Sequence, residues 1–176
     1  MGAHTTPASH GATTFSTAEW DTYIKDNTRI GSILALPGAA AGTASRNIAF
    51  TPYVVANIGD ATSDGSLYFD FRVPALFTSI QRAYVVAFND SATADLRYSV
   101  VTNWGANGEA YNLNTDSIAA TTLAMTQNAM VEVDISTAFT GIAASDYVGL
   151  RFNRLGTDAL DTIASSVRVL HFIMEF

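Results

Sequence analysis

From Arg46 onward, apolar and polar residues alternate one by one. Leu67, Phe69 and Phe71 alternate with Tyr68, Asp70 and Arg72, and Leu96, Tyr98 and Val100 with Arg97 and Ser99. The pattern returns in Val131, Val133 and Ile135, and again in Val148, Leu150 and Phe152. A period of two puts one set of side chains on each face of an extended chain, which marks a half-buried strand. Segments rich in Gly, Asn, Asp and Ser, such as 59–65, 89–91 and 103–108, separate the runs as turns. The predicted strands are 47–55, 66–73, 79–89, 95–103, 118–125, 130–136, 147–153 and 166–176. About eight strands with no helix between them predict an all-β fold, an antiparallel, jelly-roll-like β-sandwich. An immunoglobulin-like order remains open, although no paired cysteines or buried Trp stand at the places it would use.

Ahead of the strands the pattern differs. Residues 1–14 are small and polar and read as an arm. Ser16 and Glu19 form a capping box, and Phe15 can staple onto Trp20. Trp20, Tyr23, Ile24, Asn27 and Ile30 then recur at helical spacing, predicting a helix over about 16–31 that docks through Phe15, Trp20, Tyr23 and Ile24. Pro37, Gly38 and Gly42 break up residues 32–45, which read as a linker. The expected organisation is therefore an N-terminal arm, helix and linker over 1–45 and a sandwich over 46–176.

The last predicted strand is apolar on both faces. With strict alternation, Val167, Val169, His171 and Ile173 lie on one side and Leu170, Phe172, Met174 and Phe176 on the other. A strand that needs cover on both sides implies a second layer, either the N-terminal segment or another subunit. Leu170, Phe172, Met174 and Phe176 are the expected oligomer interface.

Composition adds to this. Charged residues make up 14% of the chain and hydrophobic ones 48%, against a charged share of about 25% in typical globular proteins. So few charges suit a surface partly covered in an assembly. The net charge of −7 and the lack of any run of basic residues argue against a nucleic-acid partner and against a basic membrane-surface helix. No window is apolar enough for a membrane-spanning helix, and the first residues lack the features of a secretory signal. With no cysteine, neither disulfides nor thiolate metal sites hold the fold.

No catalytic constellation can be assembled from the residues, so no enzyme activity and no cofactor is expected. His4 and His10 sit in the arm, where a symmetric oligomer would be needed to gather them around a metal. His171 sits in an apolar strand, where a core or interface role outweighs a catalytic one. Asp158 and Asp161 are too few for a calcium loop of the EF-hand type, and fixing the loop through backbone N–H groups is the favoured role. Trp104, Asn107 and Tyr111 form a candidate ligand loop, because aromatic rings lie flat on sugar faces while amides bind hydroxyls. A loop aromatic capping the end of the sandwich is the alternative for Trp104 and Tyr111.

Two stretches resemble phage proteins. Residues 15–27 (FSTAEWDTYIKDN) resemble a capped helix near the start of tail-fibre and other virion proteins, with Asp21 where Asn is usual and Lys25 where Arg is usual. The chain from Phe69-Asp70-Phe71-Arg72-Val73-Pro74 to Gly149–Thr162 resembles a β-sandwich of phage structural proteins, in which Arg154-x-Gly156-x-Asp158-x-x-Asp161-Thr162 precedes a final apolar strand. The resemblance implies a virion location and a non-enzymatic head-decoration or tail-fibre subunit. It further implies a homo-oligomer, trimeric by expectation, whose partners are copies of itself and other capsid or tail subunits. The alternative is a receptor- or carbohydrate-binding fibre tip with a host-surface glycan as partner.

Overall fold

Pairing between the strands is nested. In the computed structural model, which describes residues 29–30, 36–37, 45–50 and 53–176 with side chains from Val55 onward, the strands run in chain order as follows. They are β1 (Arg29–Ile30), β2 (Leu36–Pro37), β3 (Ser45–Phe50), β4 (Tyr53–Ile58), β5 (Gly65–Arg72) and β6 (Arg82–Phe88). After these come β7 (Ala94–Gly105), β8 (Asn114–Met125), β9 (Met130–Asp134), β10 (Tyr147–Arg154) and β11 (Val167–Glu175). A 3-10 turn, Ser136–Phe139, follows β9. One sheet has the order β3-β4-β11-β6-β9, with β1 also on β11, and the other has the order β2-β5-β10-β7-β8. Every pairing between these strands is antiparallel.

β7 pairs with β8, β6 with β9, β5 with β10 and β4 with β11. The chain is thus a ribbon doubled back at the 106–113 loop, and successive ribbon pairs fall in alternate sheets. That is the winding of a jelly roll. Seven of the eight predicted strands appear near their expected bounds. The eighth, 47–55, is two strands, β3 and β4, paired with each other.

Two corrections concern the N-terminal region. Arg29 and Ile30, predicted as the end of a helix, pair with Glu175 and Met174, and Leu36 and Pro37, predicted as linker, pair with Tyr68 and Leu67. β4 covers β11 only over Val167–Val169, so the edge beyond is open to any extended segment that can satisfy its N–H and C=O groups. The sandwich therefore draws on residues before Arg46. The helix residues Phe15, Trp20, Tyr23 and Ile24, and the histidines His4 and His10, lie outside the described residues.

The expected interface on the last strand is also corrected. A register shift between Val169 and His171 against β6 marks a β-bulge at Leu170. One extra residue exchanges the faces of everything after it. Val167 and Val169 before the bulge and Phe172, Met174 and Phe176 after it all point into the sandwich and are buried. Leu170, His171 and Ile173 are half-buried. Phe172, predicted to face a partner, is instead a hub of the core. Its ring centroid lies 5.6 Å from that of Phe69, 5.4 Å from Phe71 and 5.9 Å from Phe139.

The Arg154–Thr162 stretch is a lock. The Arg154 side chain is fully buried and all of its N–H groups have acceptors. Nε donates to Asp161 Oδ2 at 3.1 Å and Nη2 to Asp161 Oδ1 at 2.8 Å. Nη2 also reaches the Ile163 carbonyl, and Nη1 the carbonyls of Ser165 at 2.5 Å and Ile58 at 3.4 Å. Asp158 pairs with Arg97 at 3.4 Å, and Thr162 exchanges hydrogen bonds with Asp95. At Gly156 a Cβ would collide with the Asp60 carbonyl, so the close approach of the two loops requires glycine. Each named position of the motif thus holds the loop in place.

Arg154→Leu leaves the Asp161 carboxylate buried without its partner, and denaturant unfolding should show a loss of about 3–5 kcal/mol. The double variant Arg154→Leu with Asp161→Leu should recover part of it. A second expectation concerns acid. The hydroxyl and N–H of Ser136 hold the Asp134 carboxyl below the ordinary carboxylate range, and the hydroxyl and N–H of Thr62 do the same for Asp60. At Asp116 burial pushes upward, but the N–H groups of Thr140 and Ser117 outweigh it and the net direction is down. The unfolded chain therefore takes up these protons first. The stabilisation is complete above the ordinary carboxylate range and is lost as pH falls through the lower folded values. Denaturation midpoints should drop below about pH 4, and Asp134→Asn should flatten that drop.

Candidate functional site

Alternation in the second sheet sends half of its side chains into the core and half outward. Leu67, Phe69 and Phe71 of β5, Val148, Leu150 and Phe152 of β10, and Val100, Thr102 and Trp104 of β7 point inward and are buried. The outward set is Tyr68, Asp70 and Arg72 on β5, Tyr147, Gly149 and Arg151 on β10, and Val101 and Asn103 on β7. Register arranges these into rows across the sheet. Arg72 lies opposite Tyr147, which lies opposite Gly105; Asp70 lies opposite Gly149, and Gly149 opposite Asn103; Tyr68 lies opposite Arg151, and Arg151 opposite Val101. Strands stand about 4.8 Å apart and successive rows about 6.7 Å.

These residues line a depression of about 740 Å³, with Tyr111 reaching it from the 106–113 loop. Its floor is the middle row. A Cβ at Gly149 would meet nothing within 4 Å, so the missing side chain leaves open space between the Asp70 carboxylate and the Asn103 amide. Aromatic rings stand around that space. Tyr68 is 40% exposed, Tyr147 53% and Tyr111 81%. Tyrosines this exposed contribute little to the core, yet offer apolar faces to a ligand.

The surrounding loops hold the tyrosines in place. The Arg72 guanidinium carbon lies 5.5 Å from the Tyr147 ring centroid, a cation–π contact. Just before Tyr147, Ser145 sits at φ 72, a left-handed conformation that costs a non-glycine residue energy. It is held there because its N–H donates to the Val73 carbonyl at 3.1 Å and its own carbonyl accepts from Arg72 Nε at 3.4 Å. Asp146 is buried and accepts from the Ala143 N–H at 2.8 Å, closing the turn. On the other side, Glu109 accepts from the Ala106 N–H at 2.8 Å and the Leu113 N–H bonds to the Ala110 carbonyl at 3.1 Å, shaping the loop that carries Tyr111.

The ligand loop expected from the sequence is corrected in part. Residues 103–105 are not a turn but the end of β7, and parity puts Trp104 on the inner face, 4% exposed, within the core. Asn103 takes the outward place. Tyr111 does line the depression, whereas Asn107 is exposed in the loop without lining it. Asp158 and Asp161 accept N–H donors from Leu160, Ile163, Arg97 and Arg154 and fix their loop, as expected. His171 lies in the opposite sheet. Tyr68, Asp70, Arg72, Tyr147, Gly149 and Arg151 were visible in the sequence only as the polar half of an alternation. What unites them is register between strands far apart in the chain.

Chemically, the depression offers stacking faces, one carboxylate, one amide and two guanidiniums. Among the described residues Asp70 is the only carboxylate lining it, so these residues do not assemble the paired acids of a glycosidase there. Among the described residues no group of three or more His, Cys, Asp or Glu could hold a metal ion.

No family model and no curated protein matches the sequence. Among solved structures the chain is similar to a family 30 carbohydrate-binding module of a cellulosomal cellulase of Clostridium thermocellum, at 10% identity over 84% of this chain and 96% of that one, with a TM-score of 0.44. It is similar too to a family 36 carbohydrate-binding module in complex with calcium and xylotriose, at 12% identity over 83% and 97%, TM-score 0.41. A third is a family 35 carbohydrate binding module from an environmental isolate, at 14% identity over 80% and 90%, TM-score 0.40.

Proposed function

We propose that this chain binds carbohydrate, without catalysis, on the outer face of its second sheet. The observation that carries the reading is the middle row of the depression, where a carboxylate and an amide flank a side-chain-free glycine and exposed tyrosines stand around it. Sugar rings present apolar C–H faces to aromatic side chains, while their hydroxyls need both donors and acceptors, and this surface supplies all three within one concave patch.

Glycan-array binding followed by calorimetry on the best ligand tests this reading. Tyr68→Ala and Tyr147→Ala should each weaken binding by roughly tenfold, equivalent to about 1.4 kcal/mol, with unchanged unfolding midpoints. Gly149→Val fills the floor and should abolish binding. It should leave stability unchanged or raise it by up to about 1 kcal/mol, since glycine inside a strand is unfavourable. Wild-type binding by all three variants would remove the depression as the site. Trp104→Ala should act differently, lowering stability because it empties part of the core.

Display of this face on a phage particle by a homo-oligomer is a separate proposal, supported by the resemblance of residues 15–27 and by the low charge of the chain. Light scattering on the full chain and on one lacking residues 1–28 tests it. The proposal expects an oligomer that the truncation weakens, and a strict monomer in both would remove it.

A further inference from the structure

Most arginines in the described part of the chain are committed to carboxylates. Arg82 pairs with Glu132 at 2.5 Å, Arg97 with Asp158 at 3.4 Å, Arg154 with Asp161 at 2.8 Å and Arg168 with Asp90 at 2.6 Å. Arg72 and Arg151 are the remaining cations among the described side chains, and neither pairs with a carboxylate. Both are exposed, and both line the same depression. In a chain of net charge −7, acidic side chains outnumber basic ones. Two guanidiniums without an ion-pair partner, against the single Asp70 carboxylate among the described residues of the same concave patch, are therefore a local reversal of the molecule's charge.

From this we infer that the carbohydrate bound there is acidic, with its carboxylates separated by an uncharged sugar. The inference rests on the carbohydrate reading above and adds the ligand's charge and its spacing. Arg72 lies level with Tyr147, four residues along β10 from Arg151, which puts the two cations about 13 Å apart along the strand direction. One sugar ring cannot reach both. Between them, on the intervening row, stands the Asp70 carboxylate beside Gly149 and Asn103. A negative group repels an acidic sugar at the centre and accepts hydrogen bonds from the hydroxyls of a neutral one. The order along the groove is therefore cation, anion with amide, cation. Its complement is a chain in which an acidic sugar, a neutral sugar and a second acidic sugar follow one another. Guanidinium suits the outer positions because its planar fork can engage a carboxylate through two N–H groups at once.

The test uses the full chain and a polysaccharide of alternating glucuronate and N-acetylglucosamine, in its native form and after reduction of its carboxyls to alcohols. Reduction removes the charge and keeps the ring faces. Calorimetry should show the native polymer binding at least tenfold more tightly than the reduced one, with the difference shrinking between 50 and 500 mM salt as exposed charges are screened. A trisaccharide with both terminal glucuronates should bind far better than glucuronate alone. Arg151→Gln should abolish most of the preference for the native polymer while leaving the unfolding midpoint unchanged. Arg72→Gln should lower the same native-to-reduced affinity ratio, with some loss of reduced-polymer binding because Arg72 also holds Tyr147 and the Ser145 carbonyl. Asp70→Asn should let a uniformly acidic polyuronate bind. Equal binding of native and reduced polymer, or a preference that survives both arginine substitutions, overturns the charge inference and leaves the carbohydrate reading standing. If neither polymer binds and the neutral glycans of the array fail as well, both readings fall. If neutral glycans alone bind, only the charge inference does.

Discussion

A guanidinium cut off from water needs an acceptor for each of its N–H groups, because an unpartnered buried charge costs more than most single contacts contribute. Arg154 finds its acceptors in Asp161, in the carbonyls of Ile163 and Ser165, and in the carbonyl of Ile58. Ile58 ends β4 in the first sheet, and Arg154 ends β10 in the second. One side chain thus joins both sheets and the loop that leads into β11. The groove depends on this from a distance. Arg154 is opposite Gly65 on β5 and Tyr98 on β7, so the same residue anchors one end of the register that places Asp70, Gly149 and Asn103 in a row.

The sandwich was legible in the sequence because alternation is a local property. Leu67, Phe69 and Phe71 reveal a strand and its buried face without reference to any other part of the chain. Where the reading failed, the deciding fact was one residue of phase or lay far away. Trp104 looked like a loop aromatic because Gly105, Asn107 and Gly108 follow it, yet the strand runs on to Gly105 and carries the indole inward. At Leu170 the alternation is interrupted, but in a strand where nearly every residue is apolar an interruption leaves no mark. Only pairing with β6 shows it. The groove was illegible for a related reason. Tyr68, Asn103 and Tyr147 come from three strands, and nothing in their spacing says that they share a surface.

The candidate binding surface and the core lie on opposite faces of the same strands. Phe69 and Phe71 are buried against Phe172, while Asp70 between them looks out into the depression. A substitution on the outer face meets few neighbours and leaves the core packing intact. The inner face has no such freedom, since closely packed rings respond to the loss of even a few atoms.

The nested winding also shapes how the chain must fold. Thr102 and Asp116, on the innermost pair, are 14 residues apart, whereas Asn57 and Arg168, on an outer pair, are 111 apart. Closing a short loop costs less entropy than closing a long one, so the β7–β8 hairpin is the natural nucleus and the outer strands join it in turn. β11 is among the last to arrive, and until it does Phe69, Phe71 and Phe139 lack the ring that Phe172 supplies. The interval in which this protein is most exposed to aggregation is therefore set by the strand that completes its core.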